Sequence, residues 1–313
     1  MGFELITSNA KGAEIILLKS ANAQVTILPK TGALLQAYEV KYDKVYFNCI
    51  DGLSDIANAG KEIKEWYKSA KLSPFPARIE NAVYSFSDRE YSFQNKFADG
   101  SAIHGLLFDQ PFEIVSQSIL DHSASVTLQH CYRGKDPGYP FHYDCYVTYS
   151  LGDDNALTIS TTIANEEVTD IPVADGWHPY FNLGGTTDEW TLSVNSEKKL
   201  VLTEKMVPNG ETVAAGFTQP VSLKDINLDD CFLIPQQVAA TLFNPVNRWS
   251  VKFTLLQNYP YLQIFTPDHR KSIAIEPFSA APNSFNNEIG LIKLPVGEEI
   301  TFIWKIHLIH QSS

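Results

Sequence analysis

His142-Tyr143-Asp144-Cys145-Tyr146-Val147-Thr148-Tyr149-Ser150-Leu151 is the stretch that decides the fold. Tyr143, Cys145, Val147, Tyr149 and Leu151 recur at every second position, so on a strand they share one face, and His142, Asp144, Tyr146, Thr148 and Ser150 share the other. Leu157 to Ile163 repeats the pattern across a Gly152-Asp153-Asp154-Asn155 turn, which predicts an antiparallel hairpin.

The period of two continues outward in both directions. The last segment, Ile300 to Ile309, sends Ile300, Phe302, Trp304, Ile306 and Leu308 inward, and further strands are expected at Leu192–Val194, Ala239–Phe243, Val251–Leu256, Tyr261–Thr266 and Ser272–Glu276. Towards the N-terminus, Glu14–Leu18, Gln24–Leu28 and Leu34–Phe47 read as a β-meander broken by a turn at Pro29-Lys30-Thr31-Gly32. Between Asp51 and Lys71 the composition shifts to Asp, Asn, Gly and Lys, with Ile63, Trp66 and Tyr67 at helical spacing, which predicts a loop carrying one short helix. Ser73-Pro74-Phe75-Pro76 lacks two backbone donors and is expected as an extended rim segment, followed by a hairpin of Val83–Phe86 and Tyr91–Phe93. Segments long enough for helices are nearly absent, so the fold class is all-β, a large antiparallel sandwich or barrel. No linker, repeat or change of composition divides the chain, and one domain over residues 1–313 is expected.

Composition narrows the function classes. The 313 residues are 44% hydrophobic, 19% charged and 12% aromatic, ordinary for a folded soluble chain and leaning towards β-structure. A formal net charge of −12 argues against nucleic acid, which is held by clustered Lys and Arg that release counterions. Met1 to Lys19 has no leader pattern and no apolar run reaches membrane-spanning length, so a cytoplasmic protein without membrane attachment is expected. Cys49, Cys131, Cys145 and Cys231 are scattered and unpaired by motif, which fits reduced thiols and no disulfide scaffold. His-x-His, His-Glu-x-x-His, Gly-x-Ser-x-Gly and the glycine-rich phosphate loops are all missing, so neither a metal nor a nucleotide cofactor is expected.

Several side chains remain as candidates for chemistry. In Gly176-Trp177-His178-Pro179-Tyr180 one imidazole sits between bulky aromatics with the next φ held by proline, a setting for either a packed core histidine or a working acid. In Ser272-Ile273-Ala274-Ile275-Glu276-Pro277 the isoleucines share one face and Glu276 lies with Ser272 and Ala274 on the other, beside small residues that leave room for a ligand. His104-Gly105 sits in a turn where glycine lets backbone pass close. Arg78 could fork two donors to vicinal hydroxyls or cap a loop carbonyl, and Asp229-Asp230 end a loop before an apolar run.

The ordered set Phe75-Pro76-Ala77-Arg78-Ile79, Ala102-Ile103-His104-Gly105, Asp136-Pro137-Gly138-Tyr139-Pro140-Phe141, Trp177-His178-Pro179-Tyr180-Phe181-Asn182-Leu183 and Ile275-Glu276-Pro277 resembles the aldose 1-epimerase (galactose mutarotase) family over almost the full chain. The resemblance implies a galactose mutarotase-like β-sandwich (supersandwich) that interconverts the α and β anomers of a sugar without a cofactor. It further implies Glu276 as general base, His178 as general acid, His104 as a second imidazole near the ring oxygen, and Arg78, Asp229 (or its neighbour Asp230) and Gln263 as sugar contacts. Two positions depart from the family pattern: Ala77 replaces an asparagine that often precedes the arginine, and Trp177 replaces a smaller polar residue and is expected to offer a stacking surface to the sugar.

A charged Glu276/His178 pair near neutrality would follow from ordinary pKa values with modest shifts. The alternatives are a hexose-phosphate 1-epimerase, for which Lys96, Arg133, Arg248 or Arg270 would have to converge on the sugar's far end, and a non-catalytic carbohydrate-binding protein of the same fold. The expected partner is a small sugar, on a monomer or homodimer.

Overall fold

The computed structural model describes residues 2–235 and 237–311. The quoted stretch becomes the strand His142–Gly152, paired antiparallel with Leu157–Asn165 in the register that the alternation demands. Tyr143, Cys145, Val147, Tyr149 and Leu151 are all fully buried, while His142 is exposed. A single row of inward side chains then crosses the sheet: Tyr149 faces Ile159, Ile159 faces Trp304, and Trp304 faces Leu255.

That sheet has nine strands, in the order Glu113–Leu120, Ser123–Arg133, His142–Gly152, Leu157–Asn165, Glu299–His310, Trp249–Gln257, Val238–Phe243, Thr191–Val194 and Val221–Ser222. An eight-stranded sheet runs Pro208–Ala214, Lys198–Leu202, Asp229–Leu233, Tyr261–Phe265, Ile273–Phe278, Gly176–Trp177 and Lys71–Leu72, with Tyr180–Phe181 added beside Ile273–Phe278. The two sheets meet through aromatic contacts: the Trp177 ring lies 6.1 Å from Tyr149 and 6.2 Å from Trp304, and Phe181 lies 6.1 Å from Phe253. Burying such rings between two sheets supplies most of the apolar area that holds a sandwich together. The N-terminal strands Glu4–Ala10, Ala13–Lys19, Ala23–Leu28, Leu34–Tyr42 and Val45–Asn48 form a five-stranded meander. It is fastened to the nine-stranded sheet by the Tyr149 hydroxyl, which donates to the Ala33 carbonyl, and by the Tyr38 hydroxyl, which donates to that of Asn155.

The fold is all-β and antiparallel, as the alternation predicts. The expected short helix is Ala59–Trp66, with Ile63 packed inward. Three local expectations need correction. Ser73–Pro76 belongs to neither helix nor strand, as its prolines require, but Ser73 and Phe75 are buried rather than at a rim, because the segment runs beneath Gly105 and Gly176. Asp229 and Asp230 do not end a loop; they open the strand Asp229–Leu233. Leu34–Phe47 is two strands, split by Asp43 and Lys44, both at positive φ.

Candidate active site

Glu276 belongs to the innermost part of the eight-stranded sheet. Its strand is apolar along its length, Ile273 and Ile275 are fully buried, and Gln263 on the next strand is its direct cross-strand neighbour. His178 lies just past Gly176–Trp177, where the backbone crosses the same strand: Gly176 pairs with Phe278 and Tyr180 with Ala274. Gly176 has to be glycine, since a Cβ there would come within 2.8 Å of Pro76 and 2.9 Å of Phe278. The His178 peptide is held at both ends, its N–H donating to Ala70 O at 3.1 Å and its carbonyl accepting from Ser69 N at 2.9 Å. Tyr180 stacks on the imidazole, with ring centres 4.9 Å apart.

The result is a facing pair. His178 Nε2 lies 3.5 Å from Glu276 Oε2, and the two side chains are 7% and 2% exposed. His104 joins them, its ring 5.0 Å from that of His178 and nearly perpendicular to it, with Tyr67 4.6 Å away. The turn that delivers His104 passes twice through the left-handed region, and at its second residue only glycine fits. His104 itself is at φ +59°, and a Cβ on Gly105, at φ +73°, would sit 2.3 Å from the Ser73 carbonyl oxygen.

Around this group opens a cleft of about 210 Å³ whose lining includes Arg78, His104, His178, Asp229, Gln263 and Glu276. Arg78 donates through Nε to Asp99 at 2.9 Å, leaving its terminal nitrogens without a protein partner among the described residues. Gln263 Nε2 donates to Asp229 Oδ1 at 2.6 Å, whereas Asp230 turns away and takes the Lys199 ammonium at 2.8 Å. Of the two aspartates, Asp229 is the one in the cleft. A larger hollow of about 430 Å³ lies elsewhere, lined by residues such as Glu197, Lys198 and Leu233, but it has no histidine and no facing acid and base.

Four polar atoms in or against the cleft are buried without a hydrogen-bond partner: Glu276 Oε2, His178 Nδ1, His104 Nδ1 and Gln263 Oε1. Each such atom costs roughly 1–3 kcal/mol when left unpaired, so native proteins rarely gather them except where something is to be bound.

Burial also sets the charge state. It pushes the Glu276 carboxyl well above the usual carboxylate range, and the nearby Asp229 carboxylate adds to this. It lowers the His178 imidazole to about 3, and holds His104 well below its usual value, with His178 and Arg78 adding to the effect. Desolvation penalises both charged forms, so it works against the ion pair expected near neutrality and towards a protonated carboxyl beside a neutral imidazole.

Trp177 is the one candidate that lies outside the cleft. Its indole is 1% exposed, packs in the inter-sheet core and donates to Thr161 Oγ1 at 3.2 Å, because neighbouring side chains on a strand point to opposite faces and His178 takes the open one. The aromatic side chains that line the cleft are instead Trp66, Tyr67, Phe97, Tyr180, Phe265 and Phe278. Of these the sequence pointed to Trp66 and Tyr67 through the helical spacing of the loop before Lys71. Of the four cations expected at the far end of a phosphorylated sugar, none lines the cleft. Arg133 pairs with Asp144 and Arg270 with Asp188, Arg248 precedes the strand Trp249–Gln257, and only Lys96 comes near, in an adjoining hollow.

Comparison with known proteins identifies the fold and the family. Two solved structures share the fold from end to end: a galactose mutarotase-like protein from Clostridium acetobutylicum (TM-score 0.89, 17% identity, 99% of each chain covered) and galactose 1-epimerase from Lactobacillus acidophilus (TM-score 0.83, 18% identity, 99% of each chain). In sequence, the chain is 27% identical over 245 residues to the uncharacterised protein YihR of Escherichia coli K12, covering 75% of this chain and 77% of that one. It is 26% identical over 257 residues to the maltose epimerase of Levilactobacillus brevis, covering 73% and 74% respectively. The aldose 1-epimerase family model matches residues 14–307, a span that contains every residue of the cleft, and the chain belongs to that family of sugar epimerases.

Proposed function

We propose that this protein is an aldose 1-epimerase (mutarotase) in which Glu276 and His178 exchange protons with O1 and the ring oxygen of a bound sugar. The observation that carries this reading is the facing, buried pair with its unpaired atoms turned to one cleft.

Opening the ring requires the C1 hydroxyl to lose a proton and the ring oxygen to gain one. In the forward step a Glu276 carboxylate takes the O1 proton, the O–H electron pair forms the C1 carbonyl, and the C1–O5 bond breaks with its electrons on O5. A His178 imidazolium protonates that oxygen. The pair is now a neutral acid and a neutral imidazole, with the same single proton count as before. Rotation about C1–C2 and the reverse transfers close the ring on the other face. Burial favours the neutral form of the pair, which is the form that accompanies the open-chain aldehyde. Burial thereby favours the two proton transfers once the charged pair stands beside the closed sugar, and opposes the charged pair itself. In this reading His104 shares the ring oxygen with His178, and Arg78, Asp229 and Gln263 hold the remaining hydroxyls, while the Ala77 side chain supplies no polar contact.

Polarimetry on freshly dissolved α-glucose, α-galactose and α-maltose tests the reading. Acceleration over buffer for at least one sugar is expected, and no acceleration for any would overturn it. A merely sugar-binding protein would instead bind saturably, survive Glu276→Gln and anomerise nothing in either form.

A disaccharide substrate is a second reading, favoured by a hollow of about 150 Å³ that shares Tyr67, Phe97 and Ile103 with the cleft and adds Asn95, Lys96 and Phe108. Room for a further ring there fits the activity named for the L. brevis relative. A higher kcat/KM for maltose than for glucose would support it.

A further inference from the structure

Beneath the cleft, on the opposite side of the Gly176–Trp177 strand from the open face, lies a second pair of charged side chains. Lys71 and Asp175 are both 0% exposed and joined by a short ion pair. The Lys71 ammonium also donates to the Gly176 carbonyl at 3.0 Å and lies 4.9 Å above the Trp177 ring. The second Asp175 oxygen accepts the Tyr259 hydroxyl at 2.6 Å, and the Asp175 backbone N–H donates to Ser279 Oγ at 2.7 Å.

Those partners belong to the elements that carry the acid and the base. Lys71 is one residue past Ala70, whose carbonyl holds the His178 N–H, and its own strand pairs with Gly176–Trp177. Asp175 is three residues before His178, and Ser279 is three residues after Glu276. These contacts therefore tie the His178-bearing segment to the Lys71–Leu72 strand, to Tyr259 and, through Ser279, to the Glu276-bearing segment.

Stability alone does not account for such a pair. Burying two charges costs about as much as their attraction returns, and well-packed apolar side chains do as well or better. Desolvation indeed pushes the Asp175 carboxyl above its usual range even against the Lys71 ammonium and the Tyr259 hydroxyl. What an ion pair supplies that an apolar patch does not is direction, since it holds in one geometry only.

We propose that Lys71, Asp175 and Tyr259 are positioning residues, which fix the distance and orientation of His178 relative to Glu276 and so set the rate of proton transfer without touching the sugar. The proposal rests on the mutarotase reading, and a displacement of about 1 Å in such a pair is enough to cost two orders of magnitude in rate.

The test is the apolar replacement Lys71→Met/Asp175→Leu/Tyr259→Phe, with Asp175→Asn as a milder companion. Expected for the triple variant is a melting temperature at or near that of the parent and a sugar KM within about twofold. With these, kcat should fall at least about tenfold, since transition-state geometry is lost while ground-state binding stays. Native-state hydrogen exchange gives a readout that needs no turnover. Exchange at the His178 and Ser279 amides is expected to quicken by about tenfold or more, while the strand His142–Gly152 keeps its protection. If the triple variant fails to fold, Asp175→Asn is read by the same two measurements. An unchanged kcat together with unchanged exchange at His178 would overturn the proposal, whereas a parent protein inert towards every sugar would overturn the mutarotase reading and leave the exchange result to judge the positioning.

Discussion

Two buried acid–base pairs, Lys71 with Asp175 and His178 with Glu276, are linked by the three-residue step from Asp175 to His178, and they are built in opposite ways. The first is closed: both carboxylate oxygens and the ammonium have partners, and nothing is exposed. The second is open: its closest approach is 3.5 Å, and Glu276 Oε2 and His178 Nδ1 have no partner. A closed pair has its interactions already made and can only hold position. An open pair has hydrogen-bonding capacity in reserve, which a substrate can take up, and the protein carries the cost of leaving it unused.

The largest effect that separates them is expected at Glu276. Glu276→Gln should lower turnover by about 10²–10⁴-fold with sugar binding retained, measured by polarimetry and calorimetry. The same substitution should stabilise the fold at pH 7 and not at pH 4. Glu276 keeps its proton in the folded state above the pH at which the unfolded carboxyl has lost it, so stability is present below the ordinary carboxylate pKa and drains away as pH rises, and glutamine removes that loss. Thermal melts across pH check this. Lys71→Met alone should do the reverse, leaving the Asp175 carboxylate buried and unpaired and costing about 3–5 kcal/mol in chemical denaturation. If both substitutions destabilise equally, the contrast between open and closed pairs fails.

The pH dependence of turnover sharpens the contrast. The open pair works while it holds one proton between its two members, so activity should survive well below the usual histidine range, because a second proton reaches His178 only near its depressed value of about 3. On the alkaline side it should fall only when the raised Glu276 carboxyl finally ionises. A histidine-like limb near neutrality in the buffer-corrected rate would show that the two groups titrate separately. Arg78→Ala should raise the sugar KM by roughly ten- to a hundredfold, as expected for losing charge-assisted hydrogen bonds worth about 1.5–3 kcal/mol. Smallest of all, Trp177→Phe should leave KM within about twofold and cost about 1 kcal/mol of stability through the lost Thr161 hydrogen bond, so that a large KM change would return the indole to the sugar site.

Strands with one face buried were legible because burial writes itself as alternation, as in His142–Gly152 and Glu299–His310. Pro208–Ala214 and Glu4–Ala10 are mostly exposed on both faces, so no inside-outside pattern marked them, and they were not anticipated. Ser123–Arg133 is different. Ala124, Val126, Leu128, His130 and Tyr132 all face inward at alternate positions, a signal present in the sequence that the strand assignments passed over.

By itself the sequence determined the all-β class and the short helix before the cleft, through local periodicity and turn chemistry that need no knowledge of distant partners. Its resemblance to the aldose 1-epimerase family added Arg78, His104, His178, Gln263, Glu276 and one of the two aspartates Asp229 and Asp230, all but Asp230 lining the cleft. Only the tertiary structure decided that Trp177 faces the core while His178 faces the cleft, that Asp229 and not Asp230 reaches it, and that burial raises the Glu276 carboxyl and lowers the His178 imidazole. It alone brought Lys71 to Asp175, from positions far apart in the chain. The reason is the same in each case: which face of a strand is covered, and how much water is removed from a charge, depend on what the rest of the chain packs against it.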